Sequence, residues 1–272
     1  MNTFAKADEV SVYGNKLEVD FESVVDVPED IDKSDLYPVE VYADGNCLPS
    51  CGSVFAFGTP TRPEEIRTRI IKELSEHEDY YLNNENLNKG LEAKTANNLA
   101  KQYAMYSEYF IPGMNLDEKL IQEIFRKEVL SLTQNKSFMG IWQMFALSSV
   151  LGAPIKSVYP NKGNPKVRED LNRLILPRSA AKFKQIYILW TNTRDDIPAV
   201  HWTPNHFVPL LTFEGVISKP KSTSKIPVES CKHDNIKIDE KIMKMPRFIK
   251  QVLTKKLQMR EKVKKITNVK YR

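Results

Sequence analysis

The 272-residue sequence contains few cysteines and histidines and no long hydrophobic run. No stretch approaches the roughly 18 to 20 apolar residues of a membrane span, and the first residues lack the apolar run of a secretory signal. We therefore expect an intracellular protein that is cytoplasmic, nuclear or both and does not bind membranes. Its 3 cysteines are an odd number, which argues against a disulfide framework and leaves at least one free thiol for chemistry.

Charge is distributed unevenly along the chain. Residues 1–35 carry 3 Lys/Arg against 10 Asp/Glu, whereas residues 214–272 carry 17 against 6. Blocks of one sign are usually solvated arms, so we predict an acidic flexible segment (1–35), a folded domain (36–213) and a basic, partly helical or disordered tail (214–272). The tail interleaves lysines with apolar residues. This pattern is compatible with nucleic-acid binding and equally with a solvated basic helix.

Within the folded region, helical patterns come first and strand patterns cluster late. The capping-box pattern Thr61–Glu64 predicts the start of a helix that runs to about Tyr81. Pro209 predicts an edge strand or a bulge. Other predicted helices follow Cys47 and cover 95–109, 116–132 and 140–152, and predicted strands cover 37–42, 155–159, 185–190 and 206–211. This order of elements indicates an α+β fold with a sheet flanked by helices.

Cys47 is the candidate nucleophile because it opens a predicted helix, where the helix dipole stabilises a thiolate. Gly45 lets the preceding backbone turn tightly, so the amides of Asp44, Gly45 and Cys47 are candidates for an oxyanion hole. The general base must be one of 4 histidines. His206 is our candidate, since it begins an apolar strand directly after a turn, and active-site residues often occupy such positions.

An alternative interpretation of the same residue types is a zinc site. Cys47, Cys51, His201 and His206 superficially match a Cys₂His₂ set. The two pairs are separated by far more than the roughly 12 to 15 residues of a zinc finger, so we favour the thiol interpretation. Cys51 then serves as a small apolar residue that faces the core.

Three sequence blocks resemble the ovarian-tumour (OTU) family of cysteine proteases. Asp44–Leu48 resembles the family's nucleophile signature, Gly140–Ile155 is similar to its middle helix and following strand, and His206–Leu210 resembles its histidine strand. The blocks occur in the family's order between about Leu36 and Phe213. The resemblance therefore implies an OTU-type, papain-like fold over 36–213, with a central, mostly antiparallel sheet flanked by helices.

The resemblance also implies an activity, namely deubiquitination. Cys47 would attack the isopeptide carbonyl between ubiquitin and a lysine, and His206 would accept the thiol proton and later protonate the leaving amine. Asp44 would shape the loop and the oxyanion hole. The implied partners are ubiquitin or ubiquitinated proteins, and no metal or organic cofactor is required.

Two positions depart from the family pattern. Val208 stands where many members carry the Asn or Asp that orients the histidine ring, so Asn205, Asp35 and Glu40 are alternative candidates for that role. Pro49–Ser50 replaces the bulky or basic residues that commonly follow the Cys-Leu pair. The alternative function is a catalytically weak or inactive module of a larger protein that binds ubiquitin or, through its basic tail, nucleic acid or chromatin.

Overall fold

The computed structural model describes residues 17–32, 36–91, 98–194 and 198–212. Helices in these ranges are α1 (Glu29–Asp32), α2 (Cys47–Phe57), α3 (Pro63–Glu76), α4 (Glu78–Leu82), α5 (Asn84–Leu87), α6 (Leu99–Met105), α7 (Glu118–Ser131), α8 (Ile141–Leu151) and α9 (Pro165–Leu171). Strands are β1 (Leu36–Pro38), β2 (Ile155–Val158), β3 (Arg173–Ile175), β4 (Ile186–Thr191) and β5 (His206–Thr212), and short 3₁₀ turns cover Ser23–Asp26 and Ala199–His201. The predicted basic tail lies outside the described residues.

The five strands form one sheet in the order β1-β5-β4-β2-β3. Only β2 and β4 pair in parallel, while the other neighbouring pairs are antiparallel. Helices α1, α2 and α8 pack against strands β1, β5 and β3, respectively. The predicted α+β class with a mostly antiparallel sheet is therefore confirmed.

Pro209 does not lie on an edge strand, so that prediction was wrong. It belongs to β5, which lies between β1 and β4, and its register with β4 continues through the pair Ile188 and Pro209 without a bulge. The Pro209 carbonyl accepts a 3.0 Å hydrogen bond from the Val39 N–H, so the missing Pro209 N–H faces the β1 side. Because β1 ends at Pro38, the pairing of β5 with β1 stops near Pro209. The absence of an N–H donor at Pro209 is therefore tolerated on that side of β5.

Helices α2 and α8 form the centre of the core. Both are apolar around most of their circumference, and α2 is buried from Cys47 to Ala56. Gly58 and Gly152 end the two helices with φ of 69° and 66°, in the left-handed conformation that favours glycine. In the described part of the chain, no helix is long and apolar enough to cross a membrane.

The helix predicted to run from Thr61 to Tyr81 is divided in two. α3 begins at Pro63 without a side-chain cap from Thr61, and it ends at His77, whose φ of −134° leaves the helical region. The break turns Tyr81 inward, where its hydroxyl donates to Glu73 and Ser149 at 2.8 and 2.9 Å. The chain changes direction here because the buried Tyr81 hydroxyl can then form hydrogen bonds with these two partners.

Residues 17–32, predicted to be flexible, pack against the sheet. Leu17, Val19 and Ile31 are buried, and Val19 forms an isolated β-bridge with Val39. The buried Asp26 carboxylate accepts a 2.8 Å hydrogen bond from the Thr191 hydroxyl. Part of the acidic segment therefore belongs to the folded unit, because its apolar residues and its carboxylates find partners there. Residues 1–16 lie outside the described residues.

We expect Leu147→Ala in α8 to lower the free energy of unfolding by about 2–5 kcal/mol, because Leu147 is fully buried and its loss leaves a cavity. Leu130→Ala in α7 is the matched control, since Leu130 is 70% exposed and its removal should cost less than about 0.5 kcal/mol. Urea unfolding followed by circular dichroism measures both. Equal costs for the two variants would contradict this placement of α8 in the core.

Candidate active site

Cys47 is the first residue of α2 and is 2% exposed. The backbone N–H groups of Phe207 and Leu48 act to lower the pKa of its thiol, against the effect of burial. The Phe207 N–H belongs to the peptide that joins His206 to Phe207, so the structure places the thiol beside the start of β5. The predicted position of Cys47 at a helix N-terminus is confirmed, and α2 packs against β5, the strand that His206 opens.

His206 is the first residue of β5 and is 4% exposed. The ring of the following Phe207 is fully buried and packs against Trp190 and Phe138, with centroid distances of 4.3 and 5.9 Å. This aromatic packing fixes the start of the strand. Because a strand alternates its side chains, anchoring Phe207 on one face commits the His206 imidazole to the other.

The loop before Cys47 requires glycine at position 45. Gly45 has a φ of 86°, and a Cβ at this residue would lie 1.8 Å from the backbone oxygen of Lys136. Asp44 stabilises the same turn, since its Oδ1 accepts a 3.0 Å hydrogen bond from the Asn46 N–H. Its Oδ2 lies 3.4 Å from Lys136 Nζ. Asp44 thus binds its own loop and the neighbouring one, and the Asn46 N–H is not free for an oxyanion.

The side chain of Arg67 in α3 forms hydrogen bonds with this loop. The sequence analysis did not identify Arg67 as a site residue. It is 4% exposed, and its Nη2 donates to Gly45 O, Asn46 Oδ1 and Ser137 O at 2.9, 2.8 and 2.8 Å. Its Nε also donates to Asn46 Oδ1 at 3.0 Å. Arg67 occupies a position that the sequence pattern assigns to an ordinary polar helix face, so no local signal marks it.

Burial favours the neutral form of both candidate catalytic groups. It raises the pKa of the Cys47 thiol to about 11, although the N–H groups at the sulfur oppose the shift. It lowers the pKa of His206, and the Asp20 carboxylate, the Val41 carbonyl and the Asp44 carboxylate oppose that shift. At neutral pH the Cys47 side chain is therefore a thiol and the His206 side chain a neutral imidazole.

Asn205, one of the predicted histidine orienters, binds Thr193 instead. The Asn205 side chain is committed to Thr193, accepting from its N–H at 2.9 Å and donating to its hydroxyl at 3.1 Å. Glu40 is exposed, and Asp35 lies outside the described residues. Within the described part of the chain, His206 Nδ1 is buried and has no hydrogen-bond partner.

Asp20 is the acidic residue whose charge acts most strongly on His206. Its carboxylate accepts from the Ser23 N–H and hydroxyl at 3.0 and 2.6 Å, and Ser23 in turn donates to Thr191 at 3.0 Å. Thr191 is the cross-strand partner of His206. A sequence signal existed, since Leu17 and Val19 alternate with Glu18 and Asp20 as in a strand.

The residues of the alternative zinc site do not form a cluster. Cys51 is fully buried in α2, whereas His201 is exposed in a 3₁₀ turn. Among the described residues, no group of three or more His, Cys, Asp or Glu side chains is arranged to hold a metal ion.

Comparison with known proteins identifies the family. Residues 38–191 match the family described as "Vertnin, OTU domain". The chain belongs to this OTU family. The matched range includes Asp44, Gly45 and Cys47 and ends before His206. The resemblance drawn from the sequence blocks is therefore confirmed.

Several vertnins are similar to this chain. Vertnin of Mus musculus is 28% identical over 201 residues, which cover 74% of this chain and 26% of that protein. Vertnin of Homo sapiens is also 28% identical, with coverages of 74% and 27%, and vertnin of Danio rerio is 28% identical, with coverages of 71% and 28%. The chain thus spans about a quarter of the length of these relatives.

Two solved OTU structures are distantly similar. The OTU domain of OTUD1 is 12% identical with a TM-score of 0.39, and the match covers 75% of this chain and 99% of that domain. The viral OTU domain protease from Farallon virus is 15% identical with a TM-score of 0.34, and the match covers 65% and 92% of the two chains.

We expect the alkylation rate of Cys47 by iodoacetamide to rise about tenfold per pH unit from pH 6 to 9.5 without a plateau. The reactive species is the thiolate, and a thiol pKa of about 11 lies above this window. Mass spectrometry of the modified peptide separates Cys47 from Cys51 and Cys231. A plateau near neutral pH would instead reveal a preformed thiolate–imidazolium pair and contradict the neutral pair.

Proposed function

We propose that this OTU domain is a thiol-dependent deubiquitinase that hydrolyses isopeptide bonds at the ubiquitin C-terminus. The observation that carries the proposal is the position of Cys47, which opens α2 beside β5, with the Phe207 N–H among the groups that act to lower the pKa of its thiol. A buried thiol beside the imidazole-bearing strand, in a chain of the OTU family, fits covalent catalysis better than a core cysteine.

In the proposed reaction, His206 accepts or donates one proton at each step in which a covalent bond forms or breaks. Cys47 attacks the scissile carbonyl while His206 takes the thiol proton, so neither buried group is charged before the substrate binds. His206 then gives that proton to the departing lysine amine, which leaves a thioester. Water attacks the thioester, His206 removes its proton, and the thiol is restored as the ubiquitin carboxylate departs.

The proposed oxyanion hole is formed by backbone amides of Asp44, Gly45 and Cys47. The positive φ of Gly45 and the contact with Lys136 hold this loop in a fixed shape. Because Asp44 Oδ1 already binds the Asn46 N–H, the carboxylate acts on the loop and is not a proton acceptor. A preformed loop is what oxyanion stabilisation requires, since no free energy is then spent on reordering donors during the reaction.

Asp20 is the proposed positioning residue for His206, in place of Asn205. Its negative charge favours the imidazolium that forms during attack, and its hydrogen bonds to Ser23 hold it beside Thr191, the cross-strand neighbour of His206. The charged groups that act to raise the pKa of His206 are Asp20 and Asp44. This assignment supplies the acidic partner that Val208 cannot.

The enzyme hypothesis is tested with ubiquitin that carries a thiol-reactive electrophile at its C-terminus, together with ubiquitin dimers of each linkage. We expect the wild-type chain to form a covalent adduct and to cleave dimers, and Cys47→Ala to lose both activities. Cys51→Ala is the matched control in the same helix and should retain labelling, because Cys51 faces the core. Absence of both labelling and cleavage by the wild-type chain, with ubiquitin binding retained, would favour the non-enzymatic ubiquitin-binding module.

The positioning role is tested by Asp20→Asn. Removing the charge should lower kcat/KM about tenfold, equivalent to about one pKa unit of imidazolium stabilisation. It should also shift the acidic limb of the pH–rate profile to lower pH, because the pKa of His206 falls further. Glu22→Gln removes an exposed charge from the same segment and should change neither quantity. An unshifted limb in Asp20→Asn, or an equal shift in both variants, would reject the role.

A further inference from the structure

A cavity of about 280 Å³ lies between the sheet and helices α6 to α9. Seven of its lining residues are aromatic, namely Tyr103, Tyr106, Phe138, Trp142, Tyr159, Trp190 and Trp202. Among the described residues that line it, none is a candidate catalytic residue. The cavity is therefore a second recess of the domain, and we call it the aromatic cavity.

Two polar groups in the wall of the aromatic cavity set its chemistry. The Trp142 Nε1 donor is buried and has no hydrogen-bond partner among the described residues. Glu128 of α7 also lines the cavity, and its Oε2 accepts a 3.0 Å hydrogen bond from Gln143 Nε2. Burial raises the pKa of Glu128, so a cation in the cavity would relieve an unfavourable charge. A buried donor without a partner marks a place for a ligand oxygen or a water.

We propose that the aromatic cavity binds an alkylated ammonium group. Aromatic rings attract cations through their quadrupoles, and aromatic cages are a recurrent solution for quaternary ammonium groups. Methyl substituents spread the positive charge and match apolar walls, whereas a bare ammonium would lose strong hydration on entering. Glu128 supplies the counter-charge, and the Trp142 N–H is available to an oxygen of the same ligand.

Other ligand classes fit the aromatic cavity less well. An anion would meet the Glu128 carboxylate, and Asp170 stands behind the wall, where it accepts the hydroxyl hydrogen of Tyr106. A neutral hydrocarbon would fill the volume but leave the carboxylate without a counter-charge and the Trp142 donor without an acceptor. The proposed chemistry is shared by a methylated lysine in a peptide and by a small free compound such as choline.

The probes are choline and 3,3-dimethylbutan-1-ol, which have nearly the same shape and differ in the positive charge. Titration of the full chain is followed by tryptophan fluorescence and by the NMR signals of the indole N–H groups. We expect choline to bind at least about tenfold more tightly than the neutral alcohol, in proportion to the cation–π contribution. Equal affinities for the two probes, or no binding of choline at millimolar concentration, would overturn the proposal.

The variant that tests the counter-charge is Glu128→Gln, which keeps the size of the side chain. It should weaken choline binding about tenfold and leave binding of the neutral alcohol unchanged, which also shows that the cavity remains folded. Glu123→Gln, at an exposed position of the same helix, should leave both affinities unchanged. An unaffected choline affinity in Glu128→Gln would contradict the assignment.

The source of the ammonium group is tested with a trimethyllysine peptide and its unmodified counterpart. A methylated protein is supported as the ligand if the trimethylated peptide binds more tightly than choline and the unmodified peptide does not bind. Choline binding without peptide binding supports a free small molecule. Equal binding of both peptides would count against recognition of alkylation. None of these measurements requires turnover, so they stand independently of the proposed hydrolase activity.

Discussion

The guanidinium of Arg67 is the interaction on which the candidate site depends. A buried cation is unfavourable unless its donors are satisfied, and here they bind oxygens from two loops, those of Gly45 and Asn46 on one side and those of Leu132 and Ser137 on the other. Arg67 therefore fastens both loops to α3. The contact between Gly45 and Lys136 and the ion pair of Lys136 with Asp44 follow from that arrangement.

The same packing that positions Cys47 and His206 also determines their protonation. α2 is buried among α3, α8 and β5, so its first residue lies in a low-dielectric environment, and the anchored Phe207 brings the histidine strand onto the sulfur. Desolvation then opposes both the thiolate and the imidazolium. The position of Cys47 and the pKa of its thiol are consequently linked. A more exposed Cys47 would ionise more readily but would lose the contacts that hold its side chain in place.

Sequence reasoning succeeded where a signal is local. Cys47 at a helix start and the strand predicted at 185–190 each depend on neighbouring residues, and the structure confirms both, with the strand at Ile186–Thr191. It missed features set by distant partners. The break at His77 follows from where Tyr81 can be buried, and Pro209 is tolerated inside the sheet because β1 is short. Helix α9 and strand β3 are short and polar, so neither displays a clear periodicity.

The acidic N-terminal segment shows how composition can conceal a structural role. Its excess of negative charge indicated a solvated arm, yet Asp20 and Asp26 meet Ser23 and Thr191 beside the strand that begins with His206. A nearby carboxylate favours the imidazolium form of a histidine, so Asp20 opposes the fall in the pKa of His206 that burial causes. A domain boundary drawn at residue 36 from charge alone would separate these groups from the site. Among the described residues, the folded unit therefore includes Leu17, which is buried in the core.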